Sequence, residues 1–125
     1  MEFGETIKQA ILREIREETG LNVVWKGVKA LINERLIEKE TGQQTKHFLI
    51  ILCYTIAETE NVKPTDEGLV QWFSLDEIRA IEEQIVPSDF YMITELLTAQ
   101  NMSGIIEIDL EQKEEYLELS KLSVY

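Results

Sequence analysis

The chain has 125 residues, 44% of them hydrophobic and 29% charged, with a formal net charge of −12. That length suits one domain whose core buries about two-thirds of its unfolded surface, and the acidity excludes sequence-independent binding to nucleic acid polymers, which runs on Lys and Arg contacts to phosphate. The longest apolar run, Phe48 to Ile56, is strand-sized, so no membrane span is expected, and the single Cys53 excludes an internal disulfide and a Cys-based zinc site and suits a reducing cytoplasm.

The first predicted element is a helix from Ile7 to Glu18, made of good helix formers without Gly or Pro. Thr6 and Gln9 fit a capping box at its start, and Gly20 stands where a left-handed glycine ends a helix. At about 100° per residue, Ile7, Ala10 and Ile11 share a stripe that runs on into Glu14 and Glu18, with Glu17 beside it. Three carboxylates at i, i+3 and i+4 repel one another, so the face wants a cation. Mg²⁺ takes oxygen ligands and keeps waters that a phosphate can replace, which points to metal-assisted chemistry on a phosphate. A Glu-rich face is also simply a solvated one, with Arg13–Glu17 an ordinary i,i+4 pair; on composition alone that plainer reading leads, and the order of the residues reverses it.

Further along, Asn22 to Glu34 is rich in β-formers, bent near Gly27 and extended by Arg35 to Lys39. Residues 40–44 are a turn cluster. Lys46 to Ala57 reads as the strongest strand, buried on both faces in its middle, with Cys53 acting there as a small hydrophobe. A polar loop follows, then a short strand from Leu69 to Phe73. Ser74 to Glu77 forms a second capping box opening a helix to about Gln84, and Ser88 is expected to cap a third helix whose apolar face is Phe90, Ile93, Leu96 and Leu97. Ile105 to Ile108 reads as a strand and Leu110 to Leu119 as a short acidic helix.

Arg13-Glu14-Ile15-Arg16-Glu17-Glu18-Thr19-Gly20-Leu21 resembles the second half of the Nudix box, and Glu5 matches the isolated glutamate eight residues before its arginine. Glu67 to Ile78 is similar to the segment of Nudix (MutT-like) proteins in which a late acidic residue precedes a Trp-Phe strand and a short helix. The resemblance covers most of the chain up to about Thr98. It implies an α/β fold, a Nudix-type α/β/α sandwich with a mixed sheet, in a single domain over 1–125 with 100–125 as a C-terminal extension. The box should open with a glycine six residues before Glu5, a position that falls before Met1, as would the N-terminal strands. Open sheet edges left by such missing strands predict a homodimer or a swapped arrangement.

The resemblance also implies roles. Glu17 and Glu18 correspond to the core metal ligands of the box, and Glu14 to its third acidic member, which binds metal or takes a proton from water. Arg13 corresponds to the box arginine, which pairs with and orients a glutamate. Glu5 and Gly20 correspond to structural members of the motif. Glu67 is the candidate late acidic residue, acting as metal ligand or general base, with Asp66 its adjacent rival. His47, the only histidine, is read as the start of a strand. Trp25, Tyr54 and Trp72 could stack on a base, although aromatics more often pack. The implied reaction is cleavage of a diphosphate linkage in a nucleoside diphosphate derivative (a nucleoside triphosphate, ADP-ribose or similar) with Mg²⁺ or Mn²⁺ as cofactor. The alternatives are a weak or inactive Nudix-like module that binds a nucleotide or a partner, and a purely acidic interaction domain.

Overall fold

The computed structural model covers residues 1–125 and describes all of them except Glu67 and 101–103. In chain order the elements are α1 (Ile7–Thr19), β1 (Val23–Glu38), β2 (Gln44–Ala57), α2 (Leu75–Ala80), a 3₁₀ turn (Glu82–Gln84), α3 (Pro87–Tyr91), a π-helical turn (Met92–Leu96), β3 (Gly104–Lys113) and β4 (Tyr116–Val124). The four strands form a mixed sheet in the order β2-β1-β3-β4. β1 runs parallel to β3, with Ala30–Glu38 opposite Gly104–Gln112, and β3 runs antiparallel to β4. The α/β class with a mixed sheet is the expected one. Among the described residues no helix is long and apolar enough to cross a membrane.

Contacts divide the chain into two compact units, Met1–Gly27 with Cys53–Ser74, and Val28–Leu52 with Leu75–Tyr125. In the first unit, α1 forms as its sequence dictates. The Thr6 side chain accepts from the Gln9 N–H while the Gln9 side chain accepts from the Thr6 N–H. Gly20 ends the helix at φ 75°, with its N–H on the Arg16 carbonyl; an L side chain there would be strained. Ala10 and Leu21 are the buried apolar residues of this unit among those described.

The second unit holds the core. Alternation along β1 turns Ala30, Ile32 and Glu34 to one face and Leu31, Asn33 and Arg35 to the other. Ala30 and Ile32 meet Ile106, Ile108 and Leu110 of β3, and Met92 and Leu96 complete the cluster. Ile50, Leu52, Leu36, Tyr91 and Leu119 pack around it.

Several sequence expectations are corrected. β2 is not buried on both faces: it is the edge of the sheet, and most of its side chains are exposed or half-exposed, Cys53 among the latter. An apolar run cannot by itself tell a central strand from an edge strand. Leu69–Phe73 is not a strand; only the bridge Thr65–Gly68 forms nearby, and no ladder partner flanks those five residues among the described ones. The helix expected from Ser74 to about Gln84 breaks after Ala80 and resumes as one 3₁₀ turn. Val86, not Ser88, is the N-cap of α3, with Pro87 at the first helical position, where its missing N–H costs nothing. Ser88 is fully buried and its hydroxyl has no partner. The π turn shifts the helical phase, so Met92, Thr94 and Leu96 turn inward in place of the expected Phe90, Ile93 and Leu97. Leu110–Leu119 is not a helix but the end of β3, a tight turn with Glu114 at φ 56°, and the start of β4. Leu110 and Leu119 pair directly in that hairpin, and long-range pairing outweighs the helix propensity of the Glu-rich stretch.

Candidate active site

The site candidates sit on α1 and the loop before it, all within the first unit. Arg13 is the hub. Its Nε and Nη2 donate to Glu5 Oε1 and Oε2 at 2.7 and 3.0 Å, a two-pronged pair across eight residues. Its Nη1 donates to Glu14 Oε1 at 2.9 Å and to Glu17 Oε2 at 3.1 Å. Glu5 also accepts from the Glu2 N–H at 2.7 Å, which closes the loop onto the helix. The hydrogen bonds from Arg13, followed by the one from Glu2, hold the Glu5 carboxyl well below the usual range, at about 2. The same bond to Glu5 pushes the Arg13 guanidinium further above its ordinary value. One cation is thus fixed among three carboxylates, with its charge and orientation locked.

Glu14 and Glu17 side chains are 43% and 50% exposed, and Glu18 is exposed too. Arg13 takes one oxygen of each of the first two. The donor set is all carboxylate oxygen, which suits Mg²⁺ or Mn²⁺ in kind. The side chains do not converge as they stand: among the described residues no three His, Cys, Asp or Glu are grouped to hold a metal ion. Exposed glutamates one helical turn apart can close such a set by rotating about their own χ angles.

The loop that carries Asp66 is fastened to the same helix. Thr65 Oγ1 donates to the Glu18 carbonyl at 3.1 Å, and the Lys63 N–H donates to the Thr19 carbonyl at 3.1 Å. Asp66 is exposed beside this anchor; Glu67, the other candidate, lies outside the described residues. Beside the C-terminal end of α1 is a mainly apolar cavity of about 520 Å³ lined by Thr19, Leu21, Val62, Leu69, Trp72 and Phe73. The Trp72 indole N–H donates to the Glu60 carbonyl at 2.7 Å, which sets the plane of the ring at the cavity wall.

Sequence reasoning gave Arg13 a glutamate partner but not Glu5, because the i,i+8 pair closes only when the loop folds back over the helix. It missed the Arg35–Asp109 and Asn33–His47 pairs of the second unit altogether. These join strands distant in sequence, and only the register of the sheet could have revealed them.

The family model of the NUDIX domain matches residues 1–96. An uncharacterized Nudix hydrolase, YvcI of Bacillus subtilis (strain 168), is 24% identical over 103 residues, or 82% of this chain. The matched stretch spans 63% of the length of that relative. The crystal structure of a mutator MutT protein from Bacillus halodurans superposes with a TM-score of 0.70 at 20% identity, covering 99% of this chain and 76% of the other. At that identity the likeness concerns the fold.

Proposed function

The chain belongs to the Nudix family, and from that premise we propose that it is a metal-dependent hydrolase of a diphosphate linkage in a nucleoside diphosphate derivative, acting as a single Nudix domain over 1–125. The observation that carries the reading is the Arg13 hub, which ties Glu5, Glu14 and Glu17 into one fixed constellation on α1. A purely solvated acidic face has no use for a buried-side guanidinium bridging three carboxylates.

In this reading Glu14, Glu17 and Glu18 hold Mg²⁺ or Mn²⁺. The ion, when bound, polarises the phosphoryl oxygens and makes the attacking water more acidic. Water attacks phosphorus, the bond from phosphorus to the bridging oxygen breaks, and the departing phosphate keeps that electron pair. Glu14 or Glu67 accepts the proton from water, a contribution of about 10²–10⁴-fold. Arg13 orients Glu14 and Glu17, and Glu5 orients Arg13. Glu5 and Gly20 keep their structural roles, one at the loop and one at the helix end. A homodimer formed along the β2 edge completes the proposal, supported by the exposed Phe48 and Ile56 on that strand.

A nucleotide-binding module without turnover is the second reading, favoured by the absence of a closed metal-ligand group among the described residues. Release of phosphorylated products from a panel of nucleoside diphosphate derivatives, with and without Mg²⁺, separates the two. Turnover that needs Mg²⁺ and falls at least about 100-fold in Glu17→Gln, at unchanged circular dichroism, is expected. Binding of the panel without product would leave only the module.

A further inference from the structure

The second unit carries a built polar arrangement that the reading above does not use. On the face of β1 that turns away from the core, Asn33 and Arg35 stand two residues apart, each held by a different neighbouring strand. Arg35 donates through Nε and Nη2 to Asp109 Oδ1 and Oδ2 at 2.8 and 2.7 Å. Asp109 is buried, 7% exposed, while the Arg35 side chain remains 39% exposed. Asn33 Oδ1 accepts from His47 Nε2 on β2. These bonds leave Arg35 Nη1 and Asn33 Nδ2 to donate. Next to them on the same face lie Leu31, Leu49 and Ile105; Leu31 pairs with Ile105 in register, and Leu49 and Ile105 are 68% and 48% exposed.

The local charges choose the ligand class. Asp109 neutralises Arg35, Glu107 stands in register with Asn33 and acts on the same guanidinium, and Lys121 stands in register with Asp109. In a chain of net charge −12 this patch is near balance, so neither an anion nor a cation gains much there. A flat uncharged ring gains from both halves: apolar contact with the aliphatic side chains and hydrogen bonds from the pinned ones. Because both polar side chains are already fixed, binding spends little side-chain entropy. Two donors and no open amide acceptor select a ring edge that carries acceptors.

We propose that this face, with Leu31, Leu49 and Ile105 as its platform and Asn33 and Arg35 as its readers, binds a nucleobase by an oxo-bearing edge, as in a 6-oxopurine. The choice of a nucleobase among flat heterocycles rests on the nucleotide-hydrolase reading. A 6-oxopurine offers O6 and N7 as acceptors, whereas a 6-aminopurine turns a donor toward the same donors.

Inosine and adenosine, which differ at position 6, are the probes, titrated into the full chain and followed by ¹⁵N–¹H correlation spectra. Inosine should shift resonances of 31–35, 47–49 and 105–109 and bind about 3–10-fold more tightly than adenosine, the range of one hydrogen bond gained or opposed. Asn33→Asp should reverse that order, and Leu49→Glu, at an exposed position with no fold to lose, should weaken both nucleosides. Shifts confined elsewhere, equal affinity for the two nucleosides, or an order unchanged by Asn33→Asp would overturn the proposal. Glu17→Gln should bind inosine like the parent chain. A panel without turnover but with inosine on this face would sink only the hydrolase reading, and turnover with no nucleoside shifts would sink only the base-binding face.

Discussion

Arg13 shows how one side chain can set the properties of its neighbours. It is the common partner of Glu5, Glu14 and Glu17, and its strongest bond is to the residue least expected to do chemistry. The consequence for stability follows from Glu5. Its folded value of about 2 lies below the ordinary 4.5, so the stability that it contributes is fully present above pH 4.5 and is lost as pH falls from 4.5 toward 2. Urea titrations at a series of pH values should therefore show a steeper loss over that window in the parent chain than in Glu5→Gln. Parallel curves would mean that the Arg13–Glu5 pair does not persist in solution. Gly104 gives a second prediction at this scale. It sits at φ +73°, and a Cβ built on it would lie 2.6 Å from the Tyr125 carbonyl oxygen. Gly104→Ala should cost about 1–3 kcal/mol in urea unfolding, and should free the last residues of β4, seen as faster amide exchange at Tyr125.

At the scale of elements, α1 was legible because every determinant is local: a capping box, uninterrupted helix formers and a terminal glycine, all within about 15 residues. β1 was legible too, from its β-branched alternation. The later elements were not, and each failure has a physical source. β2 reads as a central strand because its apolar run is continuous, but its place at the sheet edge is decided by what pairs with β1 on the other side. The stretch from Leu110 to Leu119 has the composition of a helix, yet Ile106, Ile108 and Leu110 fill the core only when β3 is extended beside β1 and β4 returns along it. The core depends on that extended segment. Ile106→Ala removes a fully buried side chain and should cost about 2–5 kcal/mol, read as a fall in the urea midpoint at unchanged slope. A loss below about 1 kcal/mol would mean that the helical turns above the sheet collapse into the space.

For the molecule as a whole, the exposed apolar side chains of the β2 edge argue for association. Phe48 and Ile56 are 47% and 43% exposed, and a strand edge with apolar side chains and no acidic residue is open to pairing with another copy. Light scattering at rising concentration should reach the mass of two chains, and Phe48→Lys should return it to one. A single-chain mass throughout would rule the association out. The sequence by itself determined the family, the box helix with its caps, and which glutamates are candidates for metal. It could do so because those features are written in spacings of one to eight residues along one helix and its loop. Only the tertiary structure decided that Glu5 is the principal partner of Arg13, that β2 lies at an edge, that the C-terminal segment is a hairpin, and that Asn33 and Arg35 are pinned by His47 and Asp109. Those are matters of register and of loop closure, where residues far apart in sequence compete for the same partners, and the competition is settled by burial and pairing summed over the fold.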